Sequence, residues 1–156
     1  MIALVAAIAE NNCIGNQGQI PWRLPEDMKH FKELTVGKIV LMGRKTWESL
    51  PAKFRPLPDR VNVIITHQKN FPVPAGVLIY QSIDEALRSF PEKEMMIIGG
   101  AQIYRETIGR ADTLYITHVK QTVAGDTFFP VIDPAIWKEA WRKDHDGFSF
   151  VKYIKN

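Results

Sequence analysis

Pro21-Trp22-Arg23-Leu24-Pro25-Glu26-Asp27-Met28-Lys29-His30-Phe31-Lys32-Glu33-Leu34 reads as a helix with one residue out of place. Pro25 marks its start, because the N–H that proline lacks has no partner in the first helical turn. Leu24, Met28, Phe31 and Leu34 recur at the spacing of one buried helical stripe, while Glu26, Lys29, His30 and Glu33 fall on the side expected to face water. Asp27 lies four residues before Phe31 and seven before Leu34, and so points with the apolar set. A carboxylate there is costly unless a cation or hydrogen-bond donor meets it. A first-turn acid favoured by the helix dipole is the simpler alternative, and both readings stay open at this point.

The remaining chain reads as alternating short apolar strands and helices. Strands are expected at 1–9, 38–42, 61–66, 77–80, 94–98, 113–119 and 148–154. Helices are expected from Pro25, over Arg44–Leu50, from the Ser82 cap to Phe90 with Glu85 in the capping-box position, and over Ala101–Ile108, with a short one around Trp137. Residues 10–20 form a long polar loop rich in Gly and Asn, and the three prolines of 51–60 make that segment irregular. This alternation indicates an α/β fold with a mostly parallel sheet covered on both faces and an antiparallel C-terminal edge.

With 156 residues and 46% apolar content the chain is one domain with a core of its own. The single cysteine, Cys13, excludes an internal disulfide, and its Asn/Gly-rich surroundings supply no base to make it a nucleophile. The apolar N-terminal run has no basic leader and stops at Glu10, too short to span a bilayer, so a cytoplasmic location is expected. A net charge of +3 suits an anionic small ligand, and the scattered Lys and Arg form no nucleic-acid motif. Paired cysteines, H-E-x-x-H, G-x-S-x-G, G-x-G-x-x-G and G-x-x-x-x-G-K-[ST] are all missing, so no metal site is expected.

In open α/β sheets ligands sit beyond the carboxyl ends of strands. Two strand ends here enter helices through glycine, at Met42-Gly43-Arg44-Lys45-Thr46 and Ile98-Gly99-Gly100-Ala101-Gln102, and a helix N-terminus suits phosphate. Arg44 and Lys45 sit where the helix dipole disfavours cations, a conflict an anion would resolve; a solvated basic pair is the simpler alternative. Thr66-His67-Gln68 could hold a further phosphate, such as the one that distinguishes NADP from NAD. Phosphate-binding turns and one odd carboxylate, without nucleophile or metal ligands, point to chemistry carried by a cofactor, with hydride transfer the natural class.

The chain closely resembles bacterial dihydrofolate reductases. The resemblance rests on Ile14-Gly15, Pro21-Trp22 with Leu24-Pro25 and Asp27, MGRKTWESL at 42–50, RPLPDR at 55–60, IIGG at 97–100 followed by Ala101, Ile103 and Tyr104, LYITH at 114–118, and GDTFFP at 125–130. It implies a three-layer fold with an eight-stranded sheet and four helices in a single domain over 1–156, with an adenosine-binding subdomain roughly over 38–91. It implies an enzyme that uses NADPH to reduce 7,8-dihydrofolate and binds antifolates such as trimethoprim and methotrexate; a monomer is expected because no helix shows a surplus apolar face.

By motif position the resemblance places Asp27, Thr117, Trp22 and Ile20 in the catalytic set, with Asp27 accepting hydrogen bonds from pterin N3 and the 2-amino group. Met28, Phe31, Leu50 and Leu57 would line the substrate pocket together with Val5, Ala7, Ile98 and Tyr104. Arg60 would hold the glutamate α-carboxylate, with Arg55 and Lys32 nearby. Gly43, Arg44, Lys45, Thr46 and the turn Gly99, Gly100, Ala101, Gln102, Ile103 would hold the cofactor phosphates. Thr66, His67 and Gln68 would approach the adenosine 2′-phosphate, and Ala7, Ile14, Gly15, Asn16, Gly18, Ile98, Tyr104 and Thr127 would complete the cofactor site. Loop 10–24 would close over the nicotinamide, with 125–130 packed against it. Ile20 stands where methionine is frequent, Lys45 where histidine is, and Gln102 where some relatives have arginine. The reductase of riboflavin synthesis and a non-enzymatic nucleotide or RNA binder are the alternatives; Asp27 and Arg60 argue against the former.

Overall fold

The computed structural model describes residues 1–18 and 20–156. Ten strands and four α-helices alternate along the chain: β1 Ile2–Ala9, β2 Cys13–Gly15, α1 Pro25–Thr35, β3 Ile39–Gly43, α2 Arg44–Ser49, β4 Val61–Ile65, β5 Leu78–Tyr80, α3 Ile83–Ser89, β6 Met95–Gly99, α4 Ala101–Thr107, β7 Thr113–Val119, β8 Thr127–Phe128, β9 Trp137–His145 and β10 Phe148–Lys155. Eight of the strands form one sheet in the order β5-β4-β3-β6-β1-β7-β10-β9, and β2 pairs with β8 in a small second sheet. From β5 through β7 every pairing is parallel; β10 runs antiparallel to both β7 and β9.

Period-two alternation sends neighbouring residues of the central strands to opposite layers. Leu4, Leu41 and Ile97 pack with Ala86 of α3 and Ile103 and Tyr104 of α4. Ala3, Val5, Val40, Met42 and Met96 face the other way, against Phe31 and Leu34 of α1 and Trp47 of α2. Strands buried on both faces explain why the sequence shows continuous apolar runs there. The register of β6 against β3 slips between Leu41 and Met42, so Met42 lies opposite Gly99 and Ile98 is the extra residue.

Helix α1 starts at Pro25 as expected, with Leu24 as an extended N-cap that makes no side-chain bond. Ser82 caps α3 by accepting from the Glu85 N–H at 3.1 Å, while Glu85 Oε2 accepts from the N–H of Gln81 rather than that of Ser82.

Three expectations need correction. The segment at Trp137 is not a helix but the start of β9, the sheet's outer strand, in which Trp137 is buried and Lys138–Asp144 are exposed. Its charges hide any alternation because a strand at a sheet edge gains from them: they discourage pairing with other chains. Asp146-Gly147, with Gly147 at φ 84°, is the two-residue turn that joins it to β10. The 10–20 segment is not all loop, since it contains β2. On α1 the apolar stripe is displaced: Met28 is 55% exposed, whereas His30, expected in water, is half-buried and stacked on Phe150.

No helix among the described residues is long and apolar enough to cross a membrane. Leu41 is completely buried in the middle of the sheet. Leu41→Ala is expected to lower unfolding free energy by about 2–5 kcal/mol, read from urea denaturation monitored by circular dichroism.

Candidate active site

The carboxylate of Asp27 is met by a hydroxyl. Thr117 Oγ1 of β7 donates to Asp27 Oδ1 at 2.5 Å. Thr117 lies between Ala7 of β1 and Phe150 of β10 in register, on the sheet face that α1 covers. Asp27 is half-buried, and among the described residues none forms an ion pair with it. Burial pushes its carboxyl above the usual 3.8; the Thr117 hydrogen bond and the nearby His30 pull the other way with less effect. The site therefore holds a half-buried carboxylate with one hydrogen-bond partner among the described residues.

An apolar wall stands beside it. Val5 and Leu57 are buried, and Phe31, Leu50, Phe54 and Ile98 are half-buried in the same cluster. Tyr104 Oη donates to the Val5 carbonyl at 2.6 Å, fixing β1 at this level, and burial pushes its phenol well up. At the far end Arg60 is pre-set: Nε donates to the Pro58 carbonyl at 2.8 Å and Nη1 to Thr35 Oγ1 at 3.0 Å. The buried Asn62 holds the 55–60 segment, accepting from the Leu57 N–H and donating to the Leu57 carbonyl, both at 3.0 Å. Arg55 carries a buried Nε without a hydrogen-bond partner among the described residues. Lys32 is exposed, in a hollow of the α1 surface with Lys29, Glu33 and Val36.

The two glycine turns lie side by side because β3 and β6 are neighbours. A Cβ built on Gly43 would stand 3.4 Å from Ile103 Cγ1 and 3.9 Å from the Gly100 nitrogen. Gly99 has φ 137°, and a Cβ there would stand 3.1 Å from Thr46 Oγ1. Neither α2 nor α4 has a side-chain cap, so their first N–H groups are available to an anion. These short turns, stripped of Cβ atoms and rich in free donors, fit the phosphates of a dinucleotide. Of the flanking cations, Arg44 already donates to Glu48 at 2.7 Å and Lys45 is exposed, so the dipole conflict at Arg44 is eased within the protein. Thr66 is buried beyond β4 and accepts from the Gln68 N–H at 3.2 Å, with His67 and Gln68 exposed beside it. Ala101 is half-buried and Gln102 exposed in the first turn of α4.

The loop after β1 is anchored at both ends of β2. Cys13 and Gly15 pair with Phe128 and Thr127, the Asp126 N–H donates to the Gly15 carbonyl at 3.1 Å, and the Gln17 N–H donates to Asp126 Oδ2 at 3.1 Å. A Cβ on Gly125 would fall 2.3 Å from Cys13 Sγ and 2.5 Å from the Gly15 carbonyl, so only glycine fits there. Thr127 Oγ1 donates to Asp126. Ile14 and Trp22 are half-buried, Asn16 and Gly18 exposed, and Ile20 is 69% exposed. Within the expected 10–24 lid, Gln19 lies outside the described residues.

The sequence profile of dihydrofolate reductase matches residues 1–154. The chain belongs to the dihydrofolate reductase family. It is 45% identical to dihydrofolate reductase of Neisseria meningitidis serogroup A, over 99% of this chain and 98% of that protein. It is 44% identical to dihydrofolate reductase type 3 of Salmonella typhimurium, over 93% and 88%. The fold matches that of a dihydrofolate reductase from Enterococcus faecalis complexed with NADP(H) and RAB-propyl, with a TM-score of 0.89, 33% identity and coverage of 100% and 96%. The activity is that of the family, NADPH-dependent reduction of dihydrofolate, and the oxidoreductase uses NADPH as its cofactor.

Four residues that shape this site were not singled out by sequence for it: Phe54 in the apolar wall, Asn62 behind the 55–60 segment, and the stacked pair His30 and Phe150 beside Asp27. The one available signal was Asn62, a polar residue inside an otherwise apolar strand.

Asp27 titrates higher in the folded chain than unfolded, so its ionised form opposes folding. Asp27→Asn is therefore expected to be more stable than the parent at neutral pH. That gain should shrink as pH falls through the raised folded value and vanish below the free value of about 3.9. Thermal melting of both proteins across pH 3–8 checks it. Gly125→Ala is expected to destabilise the β2–β8 anchor, read as faster amide exchange at Asp126 and Gln17, whose N–H groups donate across it.

Proposed function

We propose that dihydrofolate lies in the cleft between α1 and the sheet, with its pterin against Asp27 and its glutamate against Arg60. The observation that carries this is the half-buried Asp27 carboxylate, hydrogen-bonded by Thr117 and left without a cation among the described residues. Its oxygens suit the donor pair formed by pterin N3–H and the 2-amino group, and Thr117 holds the carboxylate in place for them. Val5, Ala7, Ile98 and Tyr104 bound the ring, and Met28, Phe31, Leu50 and Leu57 take the aminobenzoyl group. Met28 lies exposed at the mouth of this cleft and is covered when substrate binds. Arg60 keeps its fork directed by Pro58 and Thr35, which suits bidentate binding of the α-carboxylate. Arg55, with its unbonded Nε, and Lys32 supply further positive charge for the glutamate.

NADPH, when bound, supplies the hydride that goes to pterin C6. Gly43, Arg44, Lys45 and Thr46, with Gly99, Gly100, Ala101, Gln102 and Ile103, hold its phosphates, while Thr66, His67 and Gln68 take the adenosine 2′-phosphate. Residues 38–91 thus form an adenosine-binding subdomain within the single domain. Ile14, Gly15, Asn16, Gly18 and Thr127 flank the nicotinamide side. The product gains a proton at N5, and Asp27 is the acid of the pocket; a water, ordered at the pterin edge, carries the proton onward. Ile20 and Trp22 close the site from the 10–24 loop and exclude bulk water, with the 125–130 turn as their support. The chain works as a monomer in the cytoplasm and binds diaminopyrimidine and diaminopteridine antifolates such as trimethoprim and methotrexate through the same carboxylate.

Two variants separate the roles. Asp27→Asn should lower kcat at neutral pH by about 10²-fold or more, as expected for loss of an acid group. Arg60→Lys should raise KM for dihydrofolate by about 10-fold or more with a much smaller change in kcat, since a bidentate charged contact is worth about 1.5–3 kcal/mol. Steady-state NADPH oxidation measures both. Unaltered turnover of Asp27→Asn would remove Asp27 from the mechanism.

A further inference from the structure

His30 lies one helical turn beyond Asp27 on α1, the spacing at which helical side chains meet. Its ring stacks on Phe150 with centroids 4.0 Å apart and planes at 21°. Phe150 is the register partner of Thr117, the residue that bonds Asp27, so the ring is held against the strand that holds the carboxylate. His145, at the end of β9, meets the same Phe150 edge-on at 5.1 Å and stacks on Phe148 at 4.8 Å. Its Nδ1 lies 3.6 Å from Glu26 Oε2, and its Nε2 is buried without a hydrogen-bond partner. Two imidazoles thus share one phenyl ring directly behind Asp27.

We propose that His30 is a positioning residue for the reaction, and that its imidazole, held on Phe150 with His145 beside it, sets through its own charge how readily Asp27 keeps a proton. The groups that face His30 are Asp27 and Glu33 on its own helix and His145 from β9; Glu26 acts through His145. Burial draws His30 below its usual value, Asp27 and Glu33 favour its charged form, and His145 opposes it. Burial lowers His30 and raises Asp27, while the charge of each favours the charged form of the other. The two sites therefore titrate as a coupled pair, and a positive His30 resists neutralisation of the carboxylate.

The inference rests on Asp27 being the acid of the pocket, but its first test does not. The His30 ring is followed by NMR across pH 4–8 in the ligand-free protein, for wild type and Asp27→Asn. Removing the negative charge should move the His30 titration about 0.5–1 pH unit lower. An unchanged His30 titration would overturn the proposal, whatever the enzyme reduces. The second test keeps the stack and removes the charge. In His30→Phe the alkaline fall of kcat, which follows loss of the Asp27 proton, should move upward by a similar amount, while in His30→Lys it should move downward. Shifts of both variants in one direction would show a purely structural effect of position 30 and would also overturn the proposal. A kcat that does not depend on Asp27 at all, with the NMR coupling intact, would count against the assigned acid and not against the coupling.

Discussion

The hydrogen bond from Thr117 to Asp27 joins the first helix to the middle of the sheet, and the site is built around it. A carboxylate so placed is out of balance in the free protein. Burial opposes its charge, one hydroxyl cannot fully offset that cost, and no cation among the described residues does so. The fold tolerates the imbalance because α1 is secured elsewhere, by Phe31 and Leu34 in the apolar layer and by Thr35 bonded to Arg60. Stability is thereby kept apart from the unbalanced carboxylate.

Parallel strand order does the rest of the positioning. With β4, β3, β6, β1 and β7 all running the same way, their carboxyl ends align along one edge. Thr66, Gly43, Gly99 and Thr117 stand at or near those ends, which puts the two glycine turns and the Asp27 carboxylate on one side of the molecule. The register slip at Ile98 and the contact of Gly99 with Thr46 bring α2 and α4 together at their N-termini. The β2–β8 pairing, closed by Gly125 against Cys13, anchors the segment after β1.

Much of this was legible in the sequence because the governing signals are local. Buried parallel strands are continuous apolar runs, Pro25 and Ser82 announce helix starts, and the glycine turns mark strand ends. Asp27 stood out because its neighbours at helical spacing were apolar. What sequence did not yield was set by distant pairing. The polar β9 strand has no pattern of its own and exists because β10 offers it an edge. Arg44 looked like a free cation until Glu48, one turn later, was seen to hold it. His30 read as a solvent-facing residue, yet its ring stacks on Phe150, 120 positions away, with His145 on the same ring. Phe54 and Asn62 belong to the site through a segment whose three prolines hide its contacts.

The central claim is that the missing partner of Asp27 is the donor edge of a bound pterin or diaminopyrimidine. Its most direct test is a carbon NMR titration of the Asp27 side-chain carboxyl, with and without a saturating 2,4-diaminopyrimidine antifolate. Binding should move the carboxyl titration to lower pH, because the ligand's cationic amidine edge supplies the charge the protein withholds. An Asp27 titration identical in free and bound protein would contradict the account.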